Sequence, residues 1–141
     1  MNFPEPHIPT HKRVVPDIPP ERLAKIKIDH TTFEGKKRHI GYKVVTDDMR
    51  SLGLRHNPNI LTYPVHEWFV LPPNWIEGGG TDWGGFWASR TKSGAKRLRE
   101  YVKEKHDIDA RIFKAYLGTL LYYNTYRIKT DRIYLSRELF K

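Results

Sequence analysis

Thr81–Val102 reads TDWGGFWASRTKSGAKRLREYV. Its first half is aromatic and glycine-rich, and its second half has helical spacing. Phe86-Trp87-Ala88-Ser89 is a short strand by its aromatic content. Ser93 caps a helix that runs through roughly His106. Ala95, Leu98, Tyr101 and Val102 form one apolar stripe, and Lys96, Arg97, Arg99, Lys103 and Lys105 cover the rest. A strand running directly into the one substantial helix makes the chain α+β, and the flanking segments set what surrounds it.

Upstream, His39–Val45 (HIGYKVV) is a strand by its β-branched and aromatic content, entered through a basic turn, Gly35–Arg38. Thr46 then has the character of an N-cap, with Asp47 and Asp48 in the first turn and Gly53 as the stop. That pattern predicts a helix of about two turns. Glu67–Leu71 is a buried strand. Downstream, Ala110–Leu117 fits helix or strand. Leu120–Ile128 is a strand. Lys129-Thr130-Asp131 is a turn that returns Arg132–Leu135 as its hairpin partner, and Ser136 opens the tail. The expected architecture is a mostly antiparallel sheet with one main helix, at about residues 93–106.

Pro4, Pro6, Pro9, Pro16, Pro19 and Pro20 set residues 1–20 apart as an arm. Proline lacks the amide donor, so the arm is neither an inner strand nor a helix interior. It is either disordered or an extended strap laid over a partner or over the domain itself, and a strap is the better reading because Val14, Val15 and Ile18 give it something to bury. Residues 21–141 then form a single domain. The full 141 residues suit one domain, and 13% aromatics offset an apolar content of 38%. The chain has no cysteine, which removes disulfides and thiol chemistry. No apolar run approaches the roughly 18 residues that span a membrane. We expect a soluble cytoplasmic protein with no membrane partner. The arm has the character of a docking element for an assembly partner.

A net charge of +9 favours polyanions. Arg90, Lys92, Lys96, Arg97 and Arg99 would contact phosphates, and Trp83, Trp87 or Tyr123 would stack on unpaired bases. Gly78-Gly79-Gly80 and Gly84-Gly85 match neither the P-loop nor the dinucleotide fingerprint. The histidines have no zinc-protease spacing, and we assign no metal. His66-Glu67 beside Trp68 is the most site-like acid–base pair, against the alternative of a histidine at a strand edge.

The order of these pieces resembles the ADP-ribosyltransferase superfamily over roughly residues 39–135. A strand (HIGYKVV) precedes a short helix ending at Gly53-Leu54. Then GGFWASRTKSGAKRLREYV and closing strands follow. The resemblance implies that Tyr42 and Lys43, with His39 as alternative, contact NAD from the first strand. It places Gly85, Phe86 and Trp87 at the second motif, and Thr91 and Ser93 at the start of the helix. Glu138, the late glutamate, would be the catalytic acid. Phe86 stands where the family carries tyrosine, and Lys43 where it carries His or Arg. The implied activity is transfer of ADP-ribose from NAD to a nucleic-acid or protein acceptor. The second reading is a non-catalytic basic module that binds nucleic acid or builds a larger assembly.

Overall fold

The computed structural model describes residues 3–7, 19–54, 57–76 and 84–141. Trp83, Asp82 and the glycine triplet at 78–80 lie outside the described residues. A four-residue helix, α1 (Pro20–Leu23), opens on proline at its tolerated first turn and buries nothing. The strands are β1 (His30–Phe33), β2 (Lys36–Thr46), β3 (Trp68–Val70), β4 (Phe86–Ser89), β5 (Ala110–Leu117), β6 (Leu120–Tyr123), β7 (Arg127–Thr130) and β8 (Arg132–Leu139). The main helix, α2 (Lys92–His106), lies between β4 and β5. The expected class, a mostly antiparallel sheet with one main helix, is what the chain adopts.

The sheet order is β3-β8-β5-β2-β4-β7-β6, with β1 also on β2. Strand β2 is the axis. One of its edges carries β5 along its length, from His39↔Leu117 to Thr46↔Ala110. The other edge is shared: β1 pairs from Lys36 to His39, and β4 takes over at Tyr42↔Ser89. All these ladders are antiparallel, and one isolated parallel bridge joins Val65 to Leu135.

Alternation along β2 sends its side chains to two different layers. Ile40, Tyr42 and Val44 face α2 and pack with Ala95 and Ile112. We call this the front. Val45 faces the back, where Phe113, Ala115, Leu117, Ile128, Ile133 and Leu135 pack under Tyr63, Phe69, Leu71 and Trp75. Burying each large side chain of this layer stabilises by about 1.5–3 kcal/mol. On α2, Ala95 and Val102 are fully buried, while Tyr101 is exposed rather than on the inner face. The helix begins two residues earlier than a cap at Ser93 implies. Thr91 is the N-cap and its Oγ1 accepts from the Gly94 amide at 3.0 Å.

Local signals failed where longer-range pairing supplied better partners. No helix follows Thr46. The Arg50 amide donates to the Thr46 hydroxyl, Arg50 bridges to Thr62, and the Tyr63 amide donates to the Met49 carbonyl. A threonine side chain that bonds nearby backbone competes with the helix ladder. The basic turn is narrower than expected, because Lys36–Arg38 already belong to β2. Leu120–Ile128 is two strands. Asn124 Oδ1 accepts from the amides of Tyr126 and Arg127 at 2.8 and 2.9 Å and turns the chain between them. Strand β8 does not form a hairpin with β7. At their corner the Asp131 carboxylate accepts from the Thr119 amide and its carbonyl from the Leu71 amide. Strand β8 then crosses to β5 and continues through the predicted tail, with Ser136 as the extra residue at a bulge.

Gly84 joins the back layer to β4 at φ 78°. A Cβ there would lie 2.7 Å from the Trp75 carbonyl oxygen, a backbone atom with little room to yield. Gly84→Ala is expected to lower stability in urea denaturation by about 2 kcal/mol or more, and an unchanged midpoint would show that this contact does not set the fold.

Candidate functional site: cations and rings on the front of the sheet

Side chains paired across antiparallel strands share a face, so the registers define lateral rows. One row crosses five strands: Arg127 on β7, Ser89 on β4, Tyr42 on β2, Lys114 on β5 and Arg137 on β8. The next row contains Ile40, Tyr116, Tyr134 and Trp68. The row on the other side, Val44, Ile112 and Leu139, belongs to the layer that α2 packs against. The front therefore presents a cationic row flanked on one side by the helix and on the other by rings. Successive rows are about 6.6 Å apart at roughly 3.3 Å per residue.

The ring row is held by its own packing. Phe33 stacks on Tyr116 with centroids 4.0 Å apart. Trp68 meets Tyr134 edge-on at 5.6 Å, and the Arg38 guanidinium lies 4.7 Å above the Trp68 ring. The Trp68 indole donates to Glu34 at 2.8 Å. Arg38 Nε is buried with no hydrogen-bond partner among the described residues. These rings remain only partly buried. Beside the rows is a cavity of about 590 Å³, lined by Lys27, Ile28, Asp29, Thr31, Ile40 and Lys114. Its wall is pinned by Arg90, which donates to the carbonyls of Lys27 and Thr125 at 2.9 and 2.7 Å. Burial pushes the Tyr42 hydroxyl pKa up, and Asp29 adds to the shift while Arg137 opposes it. Tyr42 therefore stays protonated as a neutral member of the row.

The two faces divide the residues that sequence reasoning grouped. Tyr42 and Trp87 are on the front. Trp87 is covered by the Arg127 guanidinium at 3.9 Å and met edge-on by Tyr122. Gly85 leaves the space that the Lys129 stem fills, 2.6 Å from where a Cβ would stand. Thr91 and Ser93 form the start of α2, their hydroxyls 3.2 Å apart. Lys43, next to Tyr42 in sequence, points to the back. Its ammonium donates to the Trp87 carbonyl at 2.6 Å and sits 4.8 Å from the Tyr63 ring. Phe86 is in the back core at 1% exposure. His39 also faces back, opposite His30, and its pKa is lowered by burial first, then by Lys37 and His30.

Glu138 pairs with Phe113 across β5, which places it on the back. It meets Arg111 in a two-point ion pair at 2.8 and 3.2 Å. The hydrogen bond from Arg111, helped by its charge, holds the Glu138 pKa below the usual glutamate value. His66 bonds to the Ser136 carbonyl and fixes the bulge. On α2, Lys92, Lys96 and Arg97 are exposed, whereas Arg99 donates to the Phe140 carbonyl at 2.8 Å. Lys114, Arg137, Tyr116, Tyr134 and Arg127 were not singled out from the sequence, and Trp68 only as the neighbour of His66-Glu67. The alternation in ARIFKAYL contains part of the signal, because residues 112, 114 and 116 must share a face. No family model, curated protein or solved structure matches this chain.

The buried Lys43 ammonium has no carboxylate partner among the described residues. Lys43→Met is expected to leave the thermal midpoint unchanged or raise it, since an apolar isostere replaces a desolvated charge; a large fall would mean that the charge itself holds the back layer together. Glu138→Gln is expected to cost about 1–2 kcal/mol at neutral pH. Because the folded pKa lies below the unfolded one, wild-type stability from this pair is fully present above the ordinary glutamate range and is lost as pH falls through the folded value. The difference between wild type and Glu138→Gln in denaturation should shrink in that acid window.

Proposed function

We propose that this chain is a non-catalytic basic module that binds single-stranded nucleic acid across the front of its sheet. The supporting observation is the pairing of rows: Arg127, Lys114 and Arg137 in one, Tyr116, Tyr134 and Trp68 in the next. Cations at strand spacing suit a phosphate backbone, and partly exposed rings beside them suit unpaired bases. A duplex would hide its bases from such a surface. The cavity at Lys27 and Lys114 would accept a phosphate or an end of the strand. Lys92, Lys96 and Arg97 border the surface and would steer the polyanion toward it.

An NAD-dependent transferase would need its acid opposite the groups that hold the cofactor. Glu138 and Tyr42 are on opposite faces, and Glu138 is already neutralised by Arg111. The transferase reading therefore ranks second. Calorimetry with NAD separates the two, since the module reading expects no heat from the dinucleotide.

Binding of a fluorescent single-stranded oligonucleotide should weaken steeply with salt. Lys114→Gln with Arg137→Gln should reduce the slope of log K against log salt by about 1.4, or about 0.7 for each phosphate contact on a single strand. Tyr116→Ala should cost about 1–3 kcal/mol of affinity with the slope unchanged. Absence of binding at low salt, or a slope indifferent to the double variant, would overturn the proposal.

A further inference from the structure

The back layer contains a second candidate surface, separate from the front rows and independent of the nucleic-acid reading. Residues 3–7, Phe-Pro-Glu-Pro-His, lie in a groove over Phe69, Trp75 and Asn59. Phe3 stacks on Phe69 with centroids 5.5 Å apart and meets Trp75 edge-on at 5.7 Å. The Trp75 indole donates to the Pro4 carbonyl at 3.2 Å. Asn59 clasps the backbone of His7 at both ends: Oδ1 accepts from the amide at 2.9 Å and Nδ2 donates to the carbonyl at 3.0 Å.

These contacts have the form of peptide recognition. A pocket takes one ring, an indole reads a carbonyl, and a side-chain amide reads backbone in an extended segment that proline has stiffened. Each contact is noncovalent. Helix α1, the first described element after the clasp, buries no residue, so among the described residues the arm's contacts with the domain core are those of residues 3–7. Trp75 and Phe69 are each 4% exposed with the arm in place. An empty groove would open an apolar surface with an unpaired indole donor, so it favours refilling.

We infer that this groove is a peptide-binding site which exchanges its own N-terminal arm for the arm of a second copy of the chain. The identity of the occupant follows from the fit, because among the described residues it is the segment 3–7 that satisfies the ring pocket, the indole and the Asn59 clasp together. A second copy presents the same atoms. The arm in cis has the advantage of a high effective concentration, in the millimolar range for a short tether. Exchange therefore emerges at high chain concentration, giving dimers joined by swapped arms.

The test uses the full-length isotopically labelled chain and an unlabelled synthetic peptide of residues 1–9. At millimolar peptide, the Phe3 ring signals of the labelled chain should move toward their free-peptide positions. The Trp75 indole N–H should keep its shift, because the new occupant is chemically the same. A peptide carrying Phe3→Ala should leave both unchanged. Sedimentation of the unmodified chain near 1 mM should show dimers that Phe3→Ala or Asn59→Ala removes. Phe3 signals indifferent to the peptide, or monomers at every concentration, would overturn the inference.

Discussion

The register of β2 is the constraint on which the molecule depends. Tyr42 pairs with Ser89 on one side and Lys114 on the other. That choice sends Ile40, Tyr42 and Val44 to the helix and Lys43 and Val45 to the aromatic back layer. A slip of one residue would exchange the two sets and leave α2 facing a lysine and a histidine. The register is protected because both faces of β2 are covered, by Ala95 on one and by Tyr63 and Phe113 on the other. Gly41 adds to this. A Cβ there would lie 3.1 Å from Ala88 and 3.2 Å from Leu117, so the crossing of β4, β2 and β5 is tight.

With the register fixed, the surface chemistry follows. Lys114 and Arg137 are distant in sequence and adjacent in space because β8 lies beside β5. The bulge at Ser136 is what keeps Arg137 on the front and Glu138 on the back beyond it. Its hydroxyl donates to the Lys114 carbonyl at 2.7 Å, which ties the irregularity to the same residue that lines the cavity. The acid is thereby committed to Arg111, and the front retains an excess of cations. Asp29, at the cavity, is the acid that acts on Tyr42 there.

Much of the fold was legible. Phe86–Ser89, the helix after Thr91 and the strand containing Val44 and Val45 all carry local signals that the tertiary structure agrees with. Two of the failures share a cause. At Thr46–Leu52 and at Asp131, backbone groups found partners far along the chain, and local capping and turn patterns do not encode those partners; at Asn124 the turn is local, made by its own side chain inside a run whose aromatic content read as one strand. The candidate site was less legible for a related reason. Trp87 and Tyr42 stood out as residue types, yet their neighbours come from β5, β7 and β8, and sequence alone does not give strand order. The adjacency of Tyr42 and Lys43 suggested a shared contact, whereas alternation in a strand requires them to part. Val14, Val15 and Ile18, from which the strap was read, lie outside the described residues, and the seat of residues 3–7 on Phe69 and Trp75 was not legible, because groove and arm are far apart in the chain.

The central claim is that unpaired bases lie on the ring row beside Lys114 and Arg137. Photo-crosslinking a single-stranded oligonucleotide with a zero-length reactive base, followed by peptide mapping, tests it most directly. The account predicts crosslinks on the peptides carrying Tyr116, Tyr134 and Trp68, lost when excess unlabelled strand competes. Crosslinks confined to the back-layer peptides around Tyr63 and Trp75, or no crosslinks at low salt, would contradict it.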